Sequence, residues 1–160
     1  MINNYKFTFV NAHTMGRPFV LFLFLFLSSC LDFGDDIELV GEEITGKEIN
    51  YVSELTGFTF PNGTGPVGYY FQDSEIDDGL SIKVSIPEGT KDEFLKNEMF
   101  KNGNKSKASI QIGRSRSWWK LDELQDRVDV NLQLPKGKYA ECTFGKEEGN
   151  WIAYISWMST

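Results

Sequence analysis

Histidine is almost missing from this chain. The only one in 160 residues is His13, near the N-terminus. Everything after it therefore lacks the imidazole that Ser-His-Asp and Cys-His nucleophilic machinery needs. Cysteine is nearly as scarce, with Cys30 and Cys142 alone. Two thiols far apart in sequence, without histidine, cannot supply the usual four-ligand zinc site. At most they could form one Cys30–Cys142 bridge in an oxidising compartment. A glycine-rich phosphate loop is also lacking. The run Pro61-Asn62-Gly63-Thr64-Gly65-Pro66 has neither the lysine nor the following helix that such a loop requires. No cofactor and no metal are expected.

Long apolar runs are lacking too. The longest is Phe19–Leu27, nine residues with no polar side chain. A bilayer-spanning helix needs about 20, whereas about 7–15 suits the apolar segment of a secretory signal. Lys6 and Arg17 precede the run, with no acid, and Ser28, Ser29 and Cys30 follow it. The junction Leu27-Ser28-Ser29-Cys30 resembles the lipobox of bacterial lipoproteins, in which an aliphatic residue and two small residues precede a cysteine. The resemblance implies cleavage before Cys30 and a fatty anchor, such as palmitate on a diacylglyceryl group, at Cys30. Residues 1–29 are then a cleaved signal peptide, with Met15 an alternative start. Two or more acyl chains give lasting membrane attachment, at about 0.8 kcal/mol per buried methylene. Leu31 in place of an acid after the cysteine implies the outer membrane if the host has two.

Charge is unevenly distributed. The chain carries a formal −7, which disfavours a nucleic-acid partner. Yet residues 101–120 contain Lys101, Lys105, Lys107, Arg114, Arg116 and Lys120 and no acid. Such a segment meets phosphates, an acidic partner or the protein's own acidic face. Residues 30–43 hold a crowd of acids, including Asp32, Asp35, Asp36 and Glu38. They are expected to form an extended tether between Cys30 and a single domain over 44–160.

Within that domain the spacing predicts an α+β fold: an antiparallel sheet of about six strands with one or two helices packed on one face. Thr45 and Glu48 have capping-box spacing, Ile49, Val52 and Leu55 share a helical face, and Gly57 supplies a stop. Strands are expected at 58–60, 67–71 and 80–86. In the last, Leu80, Ile82, Val84 and Ile86 alternate with polar Ser81, Lys83 and Ser85, as in a half-buried strand. A helix is expected from Lys91 to Phe100 and a strand near 108–112. The C-terminal third predicts a three-stranded meander over 128–134, 139–144 and 151–158. The last of these is apolar on both faces, as in a doubly covered central strand. The order Thr-Gly-apolar-x-apolar-Pro at 56–61, paired strands, capped helix and tryptophan pair is similar to small uncharacterised envelope lipoproteins. It carries no functional residue across.

Asp73, Glu75, Asp77 and Asp78 invite calcium, but Gly79 falls one place late for the usual loop, and Val84 stands where its bidentate Glu belongs. Cys142 lies on an apolar strand face, which predicts a buried, inert thiol. The best contact patch is Arg114, Arg116, Trp118 and Trp119. On a strand the adjacent indoles would point to opposite faces, leaving one beside the arginines for an envelope protein or glycan. The expected function is a non-catalytic, lipid-anchored binding or accessory module of the bacterial cell envelope. Alternatives are a hydrolase built on two carboxylates and an immunity-type lipoprotein that blocks a toxin at the membrane.

Overall fold

In the computed structural model, residues 35–74 and 77–159 are described. The signal peptide, Cys30, the first part of the tether and Glu75 lie outside them. Six strands form one antiparallel sheet: β1 (Ile37–Val40), β2 (Gly65–Gln72), β3 (Gly79–Ile86), β4 (Gln125–Gln133), β5 (Tyr139–Glu147) and β6 (Asn150–Met158). Their order across the sheet is β1-β2-β3-β6-β5-β4. Two three-stranded meanders thus meet at the β3–β6 pair. Among the described residues three α-helices accompany them: α1 (Gly46–Thr56), α2 (Lys91–Phe94) and α3 (Glu98–Asn102). The α+β architecture and the C-terminal meander are as the sequence predicts. Among the described residues no helix is long and apolar enough to cross a membrane.

Local chemistry sets the element ends. The Thr45 N–H donates to Glu48 Oε2 at 2.8 Å, and Lys47 N–H donates to Thr45 Oγ1 at 3.2 Å. Gly57 ends α1 in the left-handed region, at φ 75°, where a side chain would be strained. The β5–β6 hairpin closes through Glu148 and Gly149, both at positive φ, the two-residue turn whose twist suits paired strands.

One sheet face carries the apolar core. Val52 of α1, Leu80, Ile82 and Val84 of β3, Ala140 and Cys142 of β5, and Ala153 and Ile155 of β6 are all fully buried. Burial holds the Cys142 thiol well above its ordinary pKa, and Asp129 adds to the effect, which favours the neutral thiol over the reactive thiolate. Below the helices, Phe94 stands among Phe58, Phe60, Phe100 and Phe144.

Several expectations are corrected. Residues 37–43, expected in the tether, are strand and turn: β1 pairs with β2 from Ile37↔Phe71 to Val40↔Gly68. The acids do not hold this stretch away from the domain, because Asp36 and Glu38 find partners in it. The expected helix over 91–100 is interrupted, and residues 58–60 form no strand. Asn97 explains both. Its Oδ1 accepts from Thr59 N–H at 2.6 Å, while Nδ2 donates to Thr59 and Phe94 carbonyls at 3.0 and 2.7 Å. One side chain thus satisfies both backbone groups of Thr59, replacing a neighbouring strand, and also takes up a carbonyl of the helix that precedes it.

β3 is not half-buried. Ser81 is fully enclosed and Lys83 is 5% exposed, because residues 103–124 cross the second face of the sheet. The strand expected near 108–112 is replaced by a carboxylate clasp. The Ser109 and Ile110 N–H groups donate to the buried Glu141 side chain at 2.7–2.8 Å, and Ser109 Oγ donates as well. Ser81 Oγ donates to the Ile112 carbonyl at 2.6 Å. At Ser109, Ile110 and Ile112 the crossing segment therefore bonds to side chains of the face it covers.

Candidate functional site

The corner with the most unusual chemistry is the end of that crossing segment. Gly113 lies at φ 72° and packs so closely on β3 that a Cβ there would stand 2.9 Å from Ser81 Cβ. Successive turns follow, with Arg114, Arg116 and Trp119 N–H groups donating to the carbonyls of Gln111, Gly113 and Arg116. This is turn, not strand. The indoles of Trp118 and Trp119 consequently do not point to opposite sides of a sheet. Their rings meet edge to face at 5.5 Å.

The four residues of the expected patch divide into two pairs. Arg116 and Trp118 face β1 and β2. Arg116 Nη1 donates to Glu38 Oε2 at 3.0 Å, and Trp118 Nε1 donates to Glu38 Oε1 at 3.2 Å. The Arg116 guanidinium lies 4.0 Å from the centroid of the Tyr70 ring, and Tyr70 Oη donates to Asp36 at 2.5 Å. Trp118 lies so close over Gly68 that a Cβ there would approach the indole to 2.2 Å. This half of the basic segment meets the protein's own acidic edge.

Arg114 and Trp119 face the other way. With Lys120, Leu121, Asp122 and Glu123 they line an open cavity of about 400 Å³. Trp119 packs edge to face on Tyr154 at 4.8 Å. Lys120 N–H donates to Tyr154 Oη at 3.2 Å, and Tyr154 Oη donates to Glu147 Oε2 at 2.5 Å. Glu147 Oε1 accepts from Lys83 Nζ at 2.7 Å, in an ion pair with side chains 6% and 12% exposed. The Trp119–Lys120 part of the cavity wall thus rests on a buried Lys83–Glu147–Tyr154 hydrogen-bonded chain.

Burial, and next the Glu147 carboxylate, push the Tyr154 hydroxyl pKa upward. Burial also pushes Tyr69 up to about 12. Both shifts favour the neutral phenol in the folded state. Their stabilisation is therefore whole below the unfolded tyrosine value, about 10, and declines as pH rises above it. Denaturation profiles across roughly pH 8 to 11 should show this alkaline loss, and Tyr154→Phe should flatten much of it.

Among the described residues, no three His, Cys, Asp or Glu side chains are grouped to hold a metal ion. Sequence reasoning missed Glu38 as the partner of Arg116 and Trp118, and it missed Lys120 and Leu121 as cavity walls. The acid-free run over 101–120 was the available signal, since such a run implies acids brought from elsewhere in the fold. Comparison of the chain with models of protein families, with curated proteins and with solved structures gives no match.

Proposed function

We propose that this protein is a lipid-anchored component of the bacterial cell envelope whose folded domain acts by binding rather than by catalysis. The observation that carries the reading is Leu27-Ser28-Ser29-Cys30 directly behind the apolar run Phe19–Leu27. A diacylglyceryl group on Cys30 holds the domain at a membrane surface. The contact surface is the Arg114–Trp119 corner, and its partner is an envelope protein or a glycan met at that surface. An Arg beside a half-buried indole is the composition that dominates binding surfaces.

The anchor is tested in cells with an alkyne-tagged palmitate and by the mass of the mature N-terminus. Wild-type protein is expected to label, to partition with membranes and to begin at a modified Cys30. Cys30→Ser is expected to lose the label entirely and keep its uncut length. An intact, unlabelled wild-type precursor in the soluble fraction would overturn the reading.

A further inference from the structure

Among the described arginines, Arg114 is the one with no carboxylate partner. Three arginines fall among the described residues. Arg116 holds Glu38 at 3.0 Å and Arg127 holds Asp129 at 2.8 Å. Arg114 has no carboxylate. Its Nε and Nη2 are sealed from water and have no hydrogen-bond partner among the described residues, and the same is true of Trp119 Nε1 in the same cavity wall. Nε and Nη2 form one edge of the guanidinium, the fork that grips a carboxylate through two parallel bonds. A charged donor withheld from both water and an acceptor is costly. Arg116 Nε shares the condition, but that guanidinium is already compensated by Glu38 and Tyr70.

The rest of the cavity is not simply cationic. Lys120 pairs with Glu123 at 3.5 Å, so those two charges largely cancel. Asp122 is exposed on the rim, with no ion pair among the described residues. Trp119 and Leu121 add apolar wall. The cavity thus offers an unmatched cation, an unmatched anion and apolar wall in one lining. That set is complementary to a molecule with a carboxylate, an ammonium and a small apolar body.

We propose that this cavity binds an amino-acid-type zwitterion, either a free amino acid or a short peptide, with Arg114 gripping its carboxylate and Asp122 facing its ammonium. This rests on the contact reading of the corner and names its ligand class. Neither fork nitrogen is accessible as the side chain lies, so capture includes a turn of Arg114 toward the cavity. The turn exchanges two sealed, unpaired N–H groups for a bidentate pair. Trp119 moves with it or donates its indole N–H to the second carboxylate oxygen. The Trp119 signal is therefore the reporter.

The test titrates the purified full-length chain with L-leucine, leucinamide, N-acetyl-leucine, dileucine and inorganic phosphate. Tryptophan fluorescence and the indole N–H resonances are followed, with Trp119 assigned through Trp119→Phe. L-Leucine or dileucine is expected to shift the Trp119 signal saturably. The tighter of the two identifies a free amino acid or a peptide as the natural class. Leucinamide, which lacks the carboxylate, is expected to bind at least about tenfold more weakly, and N-acetyl-leucine less tightly than L-leucine. Arg114→Lys keeps the charge, loses the fork, and should weaken L-leucine by about tenfold or more. Leucinamide binding as well as L-leucine, phosphate alone binding, or no saturable shift with any probe would each overturn the proposal. The wild-type ligand series decides even if Arg114→Lys fails to fold. Failure here with Cys30 lipidated would leave the anchored reading in place, and the converse result would leave the site in place.

Discussion

Lys83→Ala is expected to destabilise the domain by about 3–5 kcal/mol in chemical denaturation, the cost of stranding one member of a buried ion pair. Glu147 would keep only the Tyr154 hydroxyl for company, in a position 12% exposed beneath the crossing segment. The paired change Lys83→Met with Glu147→Leu removes both charges and both desolvation costs. It should therefore recover most of the loss, because similar-sized apolar replacements of buried pairs are often neutral or better. The two single variants and the double form a cycle that isolates the coupling. A loss below about 1 kcal/mol for Lys83→Ala would mean that the pair behaves as a surface pair. Residues 103–124 would then not seal the second face. Arg116–Glu38 provides the contrast. Its side chains are 31% and 38% exposed, so breaking it should cost less than about 1 kcal/mol.

The second large effect lies on the opposite face. Phe94→Ala is expected to cost about 3–5 kcal/mol and to lower the melting temperature on the order of 10 °C or more. Phe94 is fully buried. Its ring stands 5.5 Å from those of Phe58 and Phe100 and 5.3 Å from Phe144. These neighbours come from a loop, from α3 and from β5, so truncation opens a hole that no single element can close by shifting. Phe94→Leu should cost distinctly less, since it keeps most of the volume. Equal losses for the two variants would point to aromatic geometry rather than cavity formation as the source of stability.

Elements whose signals are local were legible from the residues. Thr45, Glu48 and Gly57 bracket α1 because each acts on backbone groups within a few residues. The alternation in β3 and the turn residues between β4, β5 and β6 gave the strands and the meander, since side-chain period and turn chemistry are both short-range. The double cover of β6 was legible too, because Trp151 to Met158 is apolar on both faces. The neighbouring β3 must share that cover, yet Ser81 and Lys83 disguised it.

What misled the reading was polar side chains that replace backbone partners. Asn97 takes the hydrogen bonds of Thr59 that a strand would have taken. Glu141 takes those of Ser109 and Ile110. In both cases the residues involved are 31 or more apart, beyond any periodic signal. The candidate site was half legible for the same reason. Arg114, Arg116, Trp118 and Trp119 are conspicuous by composition, but which arginine is matched depends on Glu38, at the far end of the domain sequence.

By itself the sequence determined the antiparallel α+β character, the bounds of α1, the C-terminal meander and the lipobox-like junction at Cys30. These depend on spacing, capping and turn chemistry within a few residues. Only the tertiary structure decided that β1 joins the sheet, that residues 103–124 roof a face carrying Lys83 and Glu141, and that Arg114 alone of the described arginines has no carboxylate. Those are matters of which distant group satisfies a buried charge or amide. That choice is made by the packed sheet, where leaving either one unmet is costly.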